Sequence, residues 1–371
     1  MNIERIDVVP LLVPAEPRPA AVPAMASPMA ALHQVFVKVT TDTGLVGWGE
    51  CLCYRPPMQR SLIAALHDVV LPHYAGQAVE TRAALNLGFR RRHCWQGRAG
   101  VLMNALAAVD LALWDIAGKA AGRPLAAMLA NELGTTAKAT VPVMASLDRY
   151  GEPDKAAVRV GQALAAGVAA VKVHEADLAV IERARGLIPR NVPFVADVNN
   201  AFDLAGVAAE LGRWQALELL WLEDPVWPPE ALLGHPGWPG VTVGLGADLG
   251  SSEQMLLYAS SAAVGVVQPD LCMIGGLSEG LRLTAAARRL DRTTPVGIAP
   301  HTPFLGPAAL ASIHLMAALD QVQYFATIEA DEAMDPYDIG LARWQPAVAV
   351  PTAPGLGHDP RADYVKRYAM T

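Results

Sequence analysis

The C-terminal two-thirds of this chain contains eight short apolar runs, and seven of them close on an ionisable side chain. The runs are Thr140–Ser146, Ala169–Val173, Pro193–Ala196, Leu219–Leu222, Val243–Gly246, Val264–Gln268, Pro295–Ile298 and Gln323–Ile328. From the second onward they lead into Lys172-Val173-His174, Asp197-Val198-Asn199, Glu223-Asp224-Pro225, Asp248, Gln268-Pro269-Asp270, Pro300-His301-Thr302 and Glu329. These residue types suit proton transfer and metal binding.

Asp197, Glu223 and Asp248 close three consecutive runs. If the runs are neighbouring strands about 4.8 Å apart, the three carboxylates converge and repel one another. A hard divalent cation with oxygen ligands, Mg²⁺ above all, relieves that repulsion. Singly, each acid reads as a solvated loop residue; the three together point to a metal. No matched Cys or paired His accompanies them, which argues against structural zinc. Lys172 and His174 are two residues apart and share one side of a strand. Lys172 fits a structural ion pair or a contact to a substrate anion, and His174 fits a core histidine or an acid/base. Asp270 and His301 fall on the opposite side of the set, where a carboxylate beside a histidine fixes its tautomer and raises its basicity. Glu329 fits either an ion pair, with Lys172 or a nearby helix, or a carboxylic acid donating to a substrate carboxylate.

The elements that must position these groups are a repeated strand and helix. Each run precedes an Ala/Leu-rich stretch with helical spacing, at steps of roughly 20–30 residues, the pattern of an α/β (β/α)7-8 TIM barrel. An open doubly wound sheet would show a Gly-rich phosphate turn after its first strand, and none follows Ser146. The N-terminal part differs. Residues 1–13 read as a strand, 14–30 as a Pro/Ala-rich loop, and VFVKVTTDTGLVGWGE as a hairpin turning at Asp42-Thr43-Gly44. Residues 59–130 read as helices. We therefore expect an α+β capping domain over 1–125, completed by the tail from about 344 to 371, and a catalytic barrel over 126–343.

Composition narrows the function classes. Of 371 residues, 53% are hydrophobic and 18% charged, a globular balance. A formal net charge of −7, with no Lys/Arg run long enough to suggest otherwise, argues against a nucleic-acid partner. No stretch approaches the ~20 uncharged apolar residues of a membrane span, and no secretory pattern opens the sequence. Cys51, Cys53, Cys94 and Cys272 read as reduced thiols of a cytoplasmic protein.

One segment adds a resemblance. Ala107-Ala108-Val109-Asp110-Leu111-Ala112-Leu113-Trp114-Asp115-Ile116-Ala117-Gly118-Lys119 resembles the A-x-D-x-A-L-W-D-x-x-G-K helix that leads from cap to barrel in the enolase superfamily. With the ordered strand ends, the chain resembles the mandelate racemase subgroup over nearly its whole length. The resemblance implies abstraction of the proton α to a carboxylate and a metal-stabilised enediolate. It implies His301 as base, Asp270 as its partner, Glu329 as electrophilic acid, and Asp197, Glu223 and Asp248 as Mg²⁺ ligands. Two departures stand out. The subgroup's Lys-x-Lys is Lys172-x-His174 here, which puts His174 in the acid/base position, and aspartate stands at 248 where glutamate is commoner. Residues 14–30 and 51–58 match the two cap loops that set specificity. Arg18, Tyr54 and Arg55 are the candidate substrate contacts there, with Asn199 in the barrel. The expected reaction is dehydration of an acid sugar to a 2-keto-3-deoxy acid; racemisation or epimerisation with His174 and His301 on opposite faces needs the same groups. A Schiff-base aldolase on Lys172 and a non-catalytic carboxylate binder are readings from other classes. The expected partners are a small-molecule carboxylate and further copies of the chain in a homo-oligomer.

Overall fold

The computed structural model describes residues 1–18, 29–53, 56–292 and 294–370, with side chains omitted at 15–18, 29, 30, 56 and 57. The chain opens with β1 (Ile3–Arg18), β2 (Met29–Thr41) and β3 (Val46–Cys51), an antiparallel sheet in the order β1-β2-β3. The turn at 42–45 closes where expected, with Gly44 at φ +82°, a conformation open to glycine at little cost. The expected loop over 14–30 is strand at both of its described ends. β1 continues through Pro14 to Arg18, which pairs with Met29. Prolines are tolerated there because β1 is an edge strand, where a missing N–H costs no ladder bond.

The cap helices follow: α1 (Pro56–Ala65), a π turn at Leu66–Val70, α2 (Leu71–Tyr74), α3 (Arg82–Arg92), α4 (Val101–Ala120) and α5 (Leu125–Leu133). α4 carries the family-like motif and lies flat on β3. A Cβ on Gly49 would sit 1.8 Å from the Ala108 carbonyl oxygen, and one on Gly47 would sit 2.2 Å from that of Ala112, so only glycine permits this approach. Asp115 on α4 accepts the Trp48 N–H of β3 at 3.0 Å and the Leu356 N–H of the tail at 2.8 Å. The motif thus ties cap and tail together. α4 has the length and hydropathy of a membrane span, but 83% of its most apolar window is buried inside the protein.

The rest alternates strand and helix: β4 (Thr140–Leu147), α6 (Pro153–Ala165), β5 (Ala170–His174), α7 (Leu178–Leu187), β6 (Phe194–Asp197), α8 (Leu204–Ala209), α9 (Leu211–Ala216), β7 (Trp221–Glu223), a 3₁₀ turn at Pro229–Leu232, β8 (Val243–Leu245), α10 (Ser252–Ala259), β9 (Val264–Val267), α11 (Leu277–Ala287), β10 (Gly297–Ile298), α12 (Pro307–Ala318) and β11 (Phe325–Ile328). β4 to β11 are parallel, in the order β10-β9-β8-β7-β6-β5-β4-β11, the sequential order of a barrel. Side chains bridge β10 to β11: Gln321 accepts the Ile298 N–H at 3.0 Å, and the Thr302 hydroxyl donates to the Ala326 carbonyl at 3.1 Å.

In the tail, β12 (Ala347–Ala349) pairs antiparallel with β4, and α13 (Ala362–Tyr368) returns to the cap, where the Tyr364 hydroxyl donates to Gln34 at 2.8 Å. Along the barrel strands the side chains alternate. Met144, Ala170, Val195, Trp221 and Ala326 form a small interior cluster, while Phe194, Leu222 and Phe325 face the helices.

Candidate active site

Strand register decides which groups meet. His174 pairs with Asp197, Asp197 with Glu223, and Glu223 with Gly244. Ala170, Val195 and Trp221 line the barrel interior, so by alternation Lys172, Asp197 and Glu223 point the same way. Lys172 Nζ donates to Glu223 Oε1 at 2.6 Å and to Asp197 Oδ2 at 3.3 Å, with all three residues buried. Burial opposes the ammonium charge, but Glu223 and Asp197 outweigh it and hold Lys172 above its ordinary pKa. Asp197 is held well below the carboxylate range; burial works against its charge, and Lys172 and His174 reverse that. His174 places Nε2 3.2 Å from Asp197 Oδ2 and Nδ1 2.6 Å from the Leu147 carbonyl. Both ring nitrogens face acceptors. Burial disfavours its cation, Asp197 favours it, and the ring is held above its usual pKa.

Among the described residues, the acids that crowd together here are Asp197, Glu223 and Asp224. One carboxylate oxygen each from Asp197, Glu223 and Asp224 lies within 4.8 Å of the others. Asp248 is outside that trio because the β8 residue at the level of Glu223 is Gly244; the chain then passes Gly246 at φ +128° before reaching Asp248. Asp224 follows Glu223 and would face the helices if the strand ran on. Its φ of +43°, uncommon for a non-glycine residue, marks the turn that ends the strand there. Burial and the charges of Asp197, Glu223 and Asp248 push its carboxyl well up. Burial also raises Asp248.

Asn199, at φ +48°, donates its backbone N–H to Asp197 Oδ1 at 3.0 Å, and its own Oδ1 is enclosed without a partner among the described residues. Asp270 and His301 form a bridge between the ends of β9 and β10, with His301 Nδ1 2.9 Å from Asp270 Oδ2. Asp270 is fully buried, and its other oxygen accepts the Cys272 and Met273 N–H groups at 2.8 and 3.2 Å. With the Nδ1 proton given to Asp270, Nε2 carries the free lone pair.

Glu329 is held from outside the barrel mouth. Arg159 of α6 and the Tyr150 hydroxyl donate to its two oxygens, and the Asp148 N–H reaches one of them at 3.3 Å. The Arg159 guanidinium also lies over the Trp344 ring, 4.9 Å from its centroid.

The sequence reading passed over several of these partners: Asp224, Tyr150, Arg159, Glu175, which accepts the Tyr150 and Gly151 N–H groups, and Trp221, whose indole N–H donates to Glu223 Oε2 at 2.9 Å. Trp221 could have been found by alternation, two residues before Glu223 on the same strand.

Comparison with known proteins identifies the family. Residues 6–130 match the mandelate racemase / muconate lactonizing enzyme N-terminal domain, and residues 155–364 match the enolase C-terminal domain-like family. The chain belongs to this family. It is an enolase-superfamily enzyme by both domains. A D-galactonate dehydratase of Xanthomonas campestris pv. campestris (strain B100) is 30% identical over 384 residues, 91% of each chain. A D-galactarolactone cycloisomerase of Agrobacterium fabrum is 28% identical over 356 residues, also 91% of each. The fold superposes on a crystal structure of L-talarate dehydratase from Polaromonas sp. JS666, with TM-score 0.80, 21% identity and coverage of 100% and 98%.

Of the barrel residues named from the sequence, Lys172, His174, Asp197 and Glu223 contact one another, Asp270 pairs with His301, and Glu329 turns to an arginine. Of the cap-loop candidates, Tyr54 and Arg55 lie outside the described residues, as does the side chain of Arg18.

Proposed function

We propose that the protein is a Mg²⁺-dependent acid-sugar dehydratase that removes the proton α to a carboxylate. The observation that carries this is the opposition of two acid/base groups, His301 with Asp270 on one side and Lys172 with His174 on the other, around buried carboxylates. The relatives named as a galactonate dehydratase and a galactarolactone cycloisomerase support it, because both names fit acid-sugar substrates.

The residues fit a divalent cation. Asp197, Glu223 and Asp224 crowd together with Asp248 nearby, and one ammonium, Lys172, sits among four acids. Burial first, and then the charges of Asp197, Glu223 and Asp248, push the Asp224 carboxyl up, as expected where acids outnumber cations. Asp197 and Glu223 would hold the ion, with Asp224 or Asp248 completing the protein ligands. A bound Mg²⁺ supplies fixed positive charge for the carboxylate oxygens as the α-carbon loses its proton.

The chain's own groups do the rest. His301 Nε2 takes the α-proton, and Asp270 holds the ring in the right tautomer and stabilises the imidazolium. The electron pair of the broken C–H bond moves onto the substrate carboxylate, where Lys172 meets it. Collapse of that charge expels the β-oxygen, which leaves as water after accepting a proton from His301 or His174. The enol product then tautomerises to the 2-keto-3-deoxy acid. Asn199, with its free carbonyl oxygen beside Asp197, would accept from a substrate hydroxyl.

The test is a screen of mono- and diacid sugars and their lactones with Mg²⁺, scored for ketone formation. A 2-keto-3-deoxy product from at least one acid sugar, lost in EDTA, is expected. Turnover that persists in EDTA, or inversion at the α-carbon without ketone, would overturn the reading.

A further inference from the structure

We propose that Trp221 is a positioning residue for the cation site, holding the Glu223 carboxylate through its indole N–H. The inference rests on the metal reading above. Trp221 and Glu223 are two residues apart on β7, so both face the barrel interior, and both are buried. Indole Nε1 donates to Glu223 Oε2 at 2.9 Å while Lys172 holds Oε1 at 2.6 Å. Each oxygen of Glu223 therefore has one donor.

The two donors differ in kind. Lys172 is shared with Asp197 and sits on a flexible four-carbon stem, so it can turn to a substrate carboxylate. The indole is a donor with a single N–H and cannot turn. A Cβ on Gly244, the register partner of Glu223, would lie 2.4 Å from the Trp221 ring, so the glycine in β8 exists as the space this ring fills. Met144, Ala170, Val195 and Ala326 pack with the indole in the interior cluster. The same Gly244 position lies 3.0 Å from Gln268 Oε1, a buried carbonyl oxygen with no partner among the described residues. The indole N–H is given to the Glu223 anion, a charge-assisted bond. A tryptophan present only to fill the barrel would be replaceable by phenylalanine. One that positions a ligand would not, because partners behind a metal ligand commonly set affinity.

The experiment is calorimetric titration of Mg²⁺ into the wild type, Trp221→Phe, and a chain with 3-benzothienylalanine placed site-specifically at 221. The last keeps the shape of the ring and replaces its N–H by sulfur. Both variants should bind Mg²⁺ roughly 10–100-fold more weakly. The benzothienyl chain should melt in EDTA at the wild-type temperature, which separates positioning from packing if the phenylalanine variant folds poorly. In ¹⁵N-labelled wild type, the Trp221 indole N–H resonance should shift on Mg²⁺ addition. A benzothienyl chain that binds Mg²⁺ as tightly as wild type would overturn the proposal. A wild type that binds no Mg²⁺ would remove the metal reading itself and this inference with it.

Discussion

Glu329 forms an ion pair with Arg159 of α6, and its other oxygen accepts from Tyr150. Both carboxylate oxygens are thus taken by donors of the protein, a charge-assisted grip that fixes the side chain. Its side chain belongs to the seam where β11, the loop after β4, and α6 meet. Glu329→Gln should therefore keep turnover within about tenfold of wild type and lower stability by about 1–2 kcal/mol, the range for a partly exposed charged contact. Steady-state kinetics and urea unfolding measure both. A loss of turnover by a thousandfold with unchanged stability would instead fit Glu329 as the electrophilic acid.

The acids can be ranked by the same geometry. Asp197→Asn and Glu223→Gln should each abolish measurable Mg²⁺ binding. Asp224→Asn should weaken it more than Asp248→Asn, because Asp224 shares the 4.8 Å trio and Asp248 lies beyond the end of β8. Calorimetry on the four variants checks this. A larger loss for Asp248→Asn would return the third ligand to the strand-five position that the family resemblance assigns.

His314 on α12 gives a stability prediction independent of the active site. Its Nδ1 accepts the Ala126 N–H and its Nε2–H donates to the Leu356 carbonyl, both at 3.1 Å, so the ring is neutral. Burial, with a smaller contribution from His358, pushes its pKa down to about 4. The unfolded ring takes a proton near pH 6.5, and the folded one does so only near 4. The stability it contributes is complete above about pH 6.5 and is lost as pH falls toward 4, up to roughly 3 kcal/mol. Glu50, buried and raised to about 8, acts in the opposite direction as pH falls, so the comparison must be between variants. Between pH 7.5 and 4.5, wild type should lose about 2–3 kcal/mol more than His314→Gln in urea titrations. Parallel losses would contradict the assignment.

Much of this was legible in the sequence, and the gaps have physical causes. The eight barrel strands stood out because short, β-branched apolar runs alternate with helical stretches. Lys172, Asp197 and Glu223 were found because each ends a strand on its inner side. Glu329 also ends a strand, but Phe325 of β11 packs outward and Ala326 inward, so a strand continued with the same alternation puts Glu329 on the helix side. That test was available from the sequence once the strand was located. The place of Asp248 was not, because the pairing of Glu223 with Gly244 is set by packing between strands and leaves no local mark. Nor was the extension of β1 to Arg18, where pairing with β2 overrides a Pro/Ala-rich composition that favours a loop.

The claim at the centre of the account is that His301, held by Asp270, takes the proton α to a carboxylate. The most direct measurement is deuterium incorporation into substrate and product in D₂O with Mg²⁺, followed by NMR, for wild type, His301→Asn and Asp270→Asn on an acid sugar that the wild type converts. Wild type should exchange and dehydrate, His301→Asn should lose both, and Asp270→Asn should slow both by about 10²–10⁴-fold. Dehydration by His301→Asn at the wild-type rate would contradict the account.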